Sequence, residues 1–164
     1  MAYVLGEVQD MDEIDKKIVS LLQENSRIPL KSLGEQVFLS APAVAARIEK
    51  LEKDNIIESY VAKVNKQKLG YMITAFISLE VEPTQKAAFY PFAQNCPNVL
   101  ECNCIAEDYS MLMKVAFKNT EEMDSFIGKL QGFGKTHTQI VFSTPVEARG
   151  IDVMKLEEEN NDEV

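Results

Sequence analysis

The hydrophobic residues of this chain change period partway along, and that change limits the folds open to it. Up to residue 54, apolar side chains recur every three or four positions: Met11, Ile14, Ile18, Leu21 and Leu22, then Leu33 and Val37, then Val44, Ile48 and Leu51. Each set makes one stripe along a helix. From Ile73 onwards, β-forming runs such as ITAFISLEV alternate with helical stretches, so the second half requires a sheet. No single helical bundle or β-sandwich accommodates both halves. The expected class is therefore α+β, in two parts.

Local signals place the elements. The first helix is predicted over Asp12–Asn25, with Asp12 as N-cap and Asp15 in the first turn, where negative charge is favoured. The second covers Leu30–Val37, with Gly34 accepted where two helix backbones cross closely, and Phe38-Leu39 make the turn that follows. Ser40 then caps a third helix running to Asp54. Pro42 sits in its first turn, and Asn55 takes the left-handed position at its end. At 100° per residue, Pro42, Ala46, Glu49, Lys50 and Lys53 face outward, with Ala43 and Arg47 on the flanks. The extended stretch Ile56–Asn65 suits a strand beside these helices, as in a winged variant of the helix-turn-helix. In the second half, strands are predicted over Ile73–Val81, Val99–Ala106, Tyr109–Phe117 and Lys135–Glu147, and helices over Thr84–Cys96 and Thr120–Leu130. The inner face of the first of these helices is read as Ala87, Ala88, Phe92 and Ala93; Thr120 is read as the cap of the second. This βαββαβ order is ferredoxin-like. The chain thus divides into a winged helix-turn-helix over 1–64, a linker over 65–72, a ferredoxin-like domain over 73–150 and an acidic tail over 151–164.

Composition narrows the functions. No apolar run approaches the roughly 20 residues that span a bilayer. The opening MAYVLGEVQDMDEID has no basic or apolar leader segment, which predicts a cytoplasmic protein with no membrane partner. Three cysteines (Cys96, Cys102, Cys104) and one histidine (His137) argue against a disulfide framework. Cys102-x-Cys104 lacks the spacing of common zinc sites, so neither metal nor cofactor is expected. Cys102 and Cys104 are read as small packing residues, and His137 as a surface or interface residue. A net charge of −9 works against nucleic-acid binding, but residues 27–66 carry seven Lys/Arg against five acids in an otherwise acidic chain. From pattern alone, the third helix reads equally as a groove-binding helix or as a solvated charged face.

Several stretches, in this order, resemble the leucine-responsive/asparagine (Lrp/AsnC, or feast/famine) family of regulators. They are MDEIDKKIVSLLQENSRI, LSAPAVAARIEKLEKDNII followed by Tyr60, Leu69-Gly70, VLECNCIAEDYSMLMKV and GKTHTQIVF, within residues 11–148. The resemblance implies a DNA-binding transcriptional regulator. Such proteins pair as homodimers through the ferredoxin-like domains, assemble into tetramers or octamers, and in many cases take an amino acid between dimers. On this reading the third helix enters the major groove of double-stranded DNA. Ser40 and the helix N-terminus meet phosphate, Arg47 makes the base or bidentate contact, and Lys50, Lys53 and Arg27 meet phosphates. Pro42, Ala43 and Ala46 offer apolar contact. The family's effector region maps onto Ala106, Glu107, Asp108, Tyr109, Ser110, Thr136 and Thr138. Two departures stand there: Glu107 replaces a usual glycine, and Ser110 replaces an acid that would pair with a ligand's ammonium group. The competing classes are a sensor or partner protein without DNA binding and a tetrapyrrole decarboxylase of similar layout. One histidine and three arginines are sparse equipment for the latter, and no catalytic residues are assigned.

Overall fold

A computed structural model of the 164-residue chain describes residues 11–106 and 109–155. They form two compact units, one holding 11–62 and 147–155, the other 63–146.

In the first unit, α1 (Glu13–Glu24), α2 (Leu30–Val37) and α3 (Ala41–Lys53) enclose Ile18, Val19, Leu33, Val37, Val44 and Leu51. All ten apolar residues of the three sequence stripes belong to this cluster, buried or packed against it. The Asp12 carboxylate accepts from the Asp15 amide at 2.8 Å and starts α1. Between α2 and α3 the backbone reverses through Phe38 at φ 57°, ψ 39°, and the Leu39 amide closes onto the Gly34 carbonyl at 2.9 Å. A Cβ at position 34 would lie 2.5 Å from the Leu39 carbonyl oxygen. The glycine therefore makes room first for the backbone of the turn, and the Ala41 amide that begins α3 would lie 3.7 Å from that Cβ. Asn55 adopts φ 56° beyond α3, in the left-handed region expected of it.

The expected wing is absent. Ile56 and Ile57 pack on the helical core, but residues 58–65 pair with no strand. A strand needs a ladder partner, and the first unit supplies none among the described residues. A different segment completes this unit. Residues 147–155 return to it, Gln23 Nε2 donates to the Ile151 carbonyl at 3.1 Å, and Val153, 3% exposed, enters the core from a short 3-10 turn (Val153–Lys155).

The second unit is a four-stranded antiparallel sheet in the order β2-β3-β1-β4, formed by β1 (Ile73–Val81), β2 (Val99–Cys104), β3 (Met111–Phe117) and β4 (Gly134–Ile140). Helices α4 (Lys86–Asn95) and α5 (Thr120–Leu130) follow β1 and β3, giving the ferredoxin-like arrangement. Ile77 pairs with Met113 on one side and Thr138 on the other, which puts every second residue on the helix-covered face. Ala75, Ile77, Leu79, Val81, Met111, Met113, Val115 and Phe117 meet Phe89, Ala93, Phe126 and Leu130 there. The strands are shorter than their apolar runs suggested, since β2 stops at Cys104, β3 begins at Met111 and β4 stops at Ile140. A 3-10 turn over Pro83–Gln85 delays α4 and rotates it, so Phe89 and Ala93 are buried while Ala87 and Ala88 are exposed. Asn119, not Thr120, caps α5, accepting from the Glu122 amide at 2.9 Å. Among the described residues no helix is long and apolar enough to cross a membrane.

Candidate nucleic-acid interface and effector loop

The chemistry-bearing surface of the first unit is α3. Ser40 Oγ accepts from the Ala43 amide at 3.3 Å, and Pro42 follows within the first turn, where no intrahelical donor is lost. Val44 and Leu51 are buried inward, and this fixes the rotation of the helix. Pro42, Ala46, Glu49, Lys50 and Lys53 are consequently exposed, with Ala43 and Arg47 half-buried at the edges. Lys50 and Lys53 pair with no carboxylate among the described residues, leaving two ammonium groups turned to solvent. Arg27 is exposed in the α1–α2 loop, where its amide donates to Asn25 Oδ1 at 3.0 Å.

Arg47 is occupied differently. Its Nη1 donates to Asp12 Oδ2 and to Asp15 Oδ1, both at 2.7 Å, and so ties α3 to the start of α1. The two carboxylates raise the pKa of the guanidinium. Asp12 is held below its ordinary value, first by the Asp15 amide and then by Arg47. Beyond α3, the Tyr60 hydroxyl donates to Glu52 Oε1 at 2.8 Å. Burial, followed by that carboxylate, pushes the phenol up to about 12.

The effector residues expected from the sequence divide between places. Glu107 and Asp108 lie outside the described residues. The Ile105 amide donates to the Ser110 carbonyl at 2.9 Å, which brings the chain at Ala106 back beside Ser110. Ser110 Oγ is buried with no hydrogen-bond partner among the described residues. The Tyr109 ring lies 6.2 Å from that of His137. Thr136 and Thr138, opposite Leu79 and Ile77, lie on the helix-covered face, while His137, opposite Ser78, points the other way. The structure thus brings Tyr109 to His137 and not to the threonines. The alternation of β4 carried that signal in the sequence.

Cys102 and Cys104 stand opposite Met113 and Met111 on the edge strand β2 and are exposed, because no strand flanks that edge. Burial, and then Cys104, push the Cys102 thiol up. A groove of about 390 Å³ beside them, between β2 and α4, and a cleft of about 410 Å³ between α4 and α5 are both lined by residues other than the expected effector set. Among the described residues, no group of three or more His, Cys, Asp or Glu side chains is placed to hold a metal ion.

Residues 11–52 match the AsnC-type helix-turn-helix domain, and residues 74–151 match the Lrp/AsnC ligand binding domain. The HTH-type transcriptional regulator FL11 of Pyrococcus furiosus is 32% identical over 146 residues, covering 87% of this chain and 97% of FL11. The structure of LrpC from Bacillus subtilis superposes with a TM-score of 0.80 at 28% identity, over 86% of this chain and all of the other. That of the Neisseria meningitidis regulator NMB0573 in complex with L-Met gives 0.79 at 23% identity, over 85% and 94%. With a capped helix-turn-helix ahead of a ferredoxin-like sheet, and whole-length relatives that share both, the chain belongs to the Lrp/AsnC family of DNA-binding transcriptional regulators.

Proposed function

We propose that α3 enters the major groove of duplex DNA by its N-terminal end, with Lys50, Lys53 and Arg27 on phosphates and Ser40 beside the helix N-terminus on another. The observation that carries this reading is the exposed face of α3, which presents two ammonium groups with no carboxylate partner among the described residues, from a helix whose rotation is fixed by Val44 and Leu51. Pro42, Ala43 and Ala46 supply small apolar contacts, so sequence discrimination rests on DNA shape and on several half-sites as well as on base edges. Arg47 holds Asp12 and Asp15 through Nη1, which orients α3, and keeps its remaining guanidinium donors for a phosphate or guanine edge. Against a net charge of −9, phosphate contacts have to be local to the first unit. The test is a titration of duplexes selected from genomic DNA at several salt concentrations. Lys50→Ala and Lys53→Ala should each weaken binding on all sequences and reduce the salt slope by about 1. Unchanged slopes in both variants would remove α3 from the interface.

The same reading gives the second unit a sensing and self-association role, in the cytoplasm and without a catalytic step. Ala106, Tyr109 and Ser110 mark the proposed place for an amino acid or a similar small polar metabolite. The unpartnered Ser110 hydroxyl and the L-Met held by the Neisseria regulator support it. Ser110 offers no carboxylate to an ammonium group, so weak binding of ordinary amino acids is expected unless another acid supplies one. Calorimetry against the twenty amino acids checks this, and silence with all of them would remove the amino-acid assignment. The uncovered sheet face, with Phe76, Leu112 and His137, is the proposed homodimer surface. A monomeric mass in sedimentation would reject it.

A further inference from the structure

We propose that Phe38 is an apolar DNA-contacting residue, its ring packing on the groove wall, against deoxyribose or a thymine methyl, where α3 enters the duplex. This rests on α3 as the reading helix. Two observations meet at this residue. Its backbone sits at φ 57°, ψ 39°, a left-handed conformation that costs a bulky side chain free energy and that glycine adopts freely. Its ring is 94% exposed, so no contact among the described residues repays that strain. Backbone strain at a bulky residue that no contact among the described residues offsets points to a partner outside the chain.

Its position indicates which partner. Phe38 lies two residues before Ser40, the N-cap of the helix proposed to enter the groove. In helix-turn-helix docking the N-terminal residues of that helix reach the base edges, which brings the preceding turn beside the sugar–phosphate wall. On its outward face the first turns of α3 offer the small Pro42, Ala43 and Ala46, and the charged groups of that face, Glu49, Lys50 and Lys53, come later. Leu39 turns back to the core, so among the described residues Phe38 is the large exposed apolar group at the entering end of α3. Deoxyribose and the thymine 5-methyl are the apolar surfaces that a duplex exposes there.

The deciding variant is Phe38→Gly, because it removes the ring and the backbone strain together. Its thermal midpoint should equal or exceed that of the parent, while its affinity for the selected duplex should fall by about tenfold, on the scale of a part-buried aromatic ring. The salt slope should stay that of the parent, since no phosphate contact is lost. Phe38→Leu should keep much of the affinity, and Phe38→Asn, which tolerates the same backbone, should lose as much as glycine. Replacing thymine by deoxyuridine in the duplex separates the two apolar surfaces. A loss seen with the parent but not with Phe38→Gly assigns the methyl, and no loss with either assigns the sugar. Parent-like affinity in Phe38→Gly, while Lys50→Ala still lowers the salt slope, would overturn this proposal alone. A changed mass of Phe38→Gly in sedimentation would also overturn it, by assigning the ring to contacts between copies. Failure of the parent protein to bind any selected duplex would overturn the reading of α3 itself.

Discussion

Gly34 and Asp12 show how much one atom decides. In an exposed helix interior, glycine to alanine gains about 1 kcal/mol of helix propensity. At position 34 the added methyl would lie 2.5 Å from the Leu39 carbonyl oxygen, and that oxygen belongs to backbone that cannot rotate away. Gly34→Ala should therefore destabilise the first unit by about 1–3 kcal/mol, the cost of overpacking, as measured by urea unfolding. At Asp12 the native state binds its proton less readily than the unfolded chain, because the Asp15 amide and then Arg47 favour the carboxylate. The stabilisation is complete above the ordinary aspartate value of 3.8 and is lost as pH falls through the lowered native value. Unfolding midpoints measured from pH 5 downwards should show this loss, and Asp12→Asn, which keeps a capping acceptor, should flatten it.

At the scale of elements, the link between α1 and α3 is an ion pair laid over an apolar core. Arg47 bridges an exposed and a buried carboxylate, since the Asp15 side chain is only 8% exposed. Removing the guanidinium leaves Asp15 without its cation. Arg47→Ala should cost about 1–2 kcal/mol, above the range of a surface pair and near that of a hydrogen bond to a charged group. Arg47→Lys should recover only part, because the shorter reach and compact, strongly hydrated ammonium do not reproduce the position of Nη1 between the two carboxylates. The informative comparison is thermal midpoint against DNA affinity. If α3 is misoriented, both fall in Arg47→Ala, whereas an intact midpoint with lost affinity would make Arg47 a direct DNA contact and not a clamp. The helices themselves were legible in the sequence because caps and apolar spacing act within a few residues. Ser40, Asp12 and Asn55 all do in the structure what their side-chain chemistry suits them for. The wing was not legible, because Ile56–Asn65 has a strand's composition and strand formation depends on a partner elsewhere.

Across the whole molecule, the chain leaves its first unit at residue 62 and comes back to it at 147. Val153 sits in a core built mainly by residues more than a hundred positions earlier. Val153→Ala should lower the stability of the first unit by about 1–2 kcal/mol while leaving the sheet unit unaffected. Hydrogen exchange resolved by segment separates the two, and loss of protection in β1 and β3 would contradict the division. Period, caps and element order are local or statistical properties, so the sequence by itself determined the three helices, the βαββαβ order and the outward face of α3. Long-range contacts were decided only when the chain closed on itself. Among them are the Arg47 bridge to α1, the separation of Thr136 and Thr138 from Tyr109 across a sheet, the return of Val153, and the exposure of Phe38 in a strained turn. Charge pairing and burial depend on distances in space, and these are set by tertiary packing rather than by spacing along the chain.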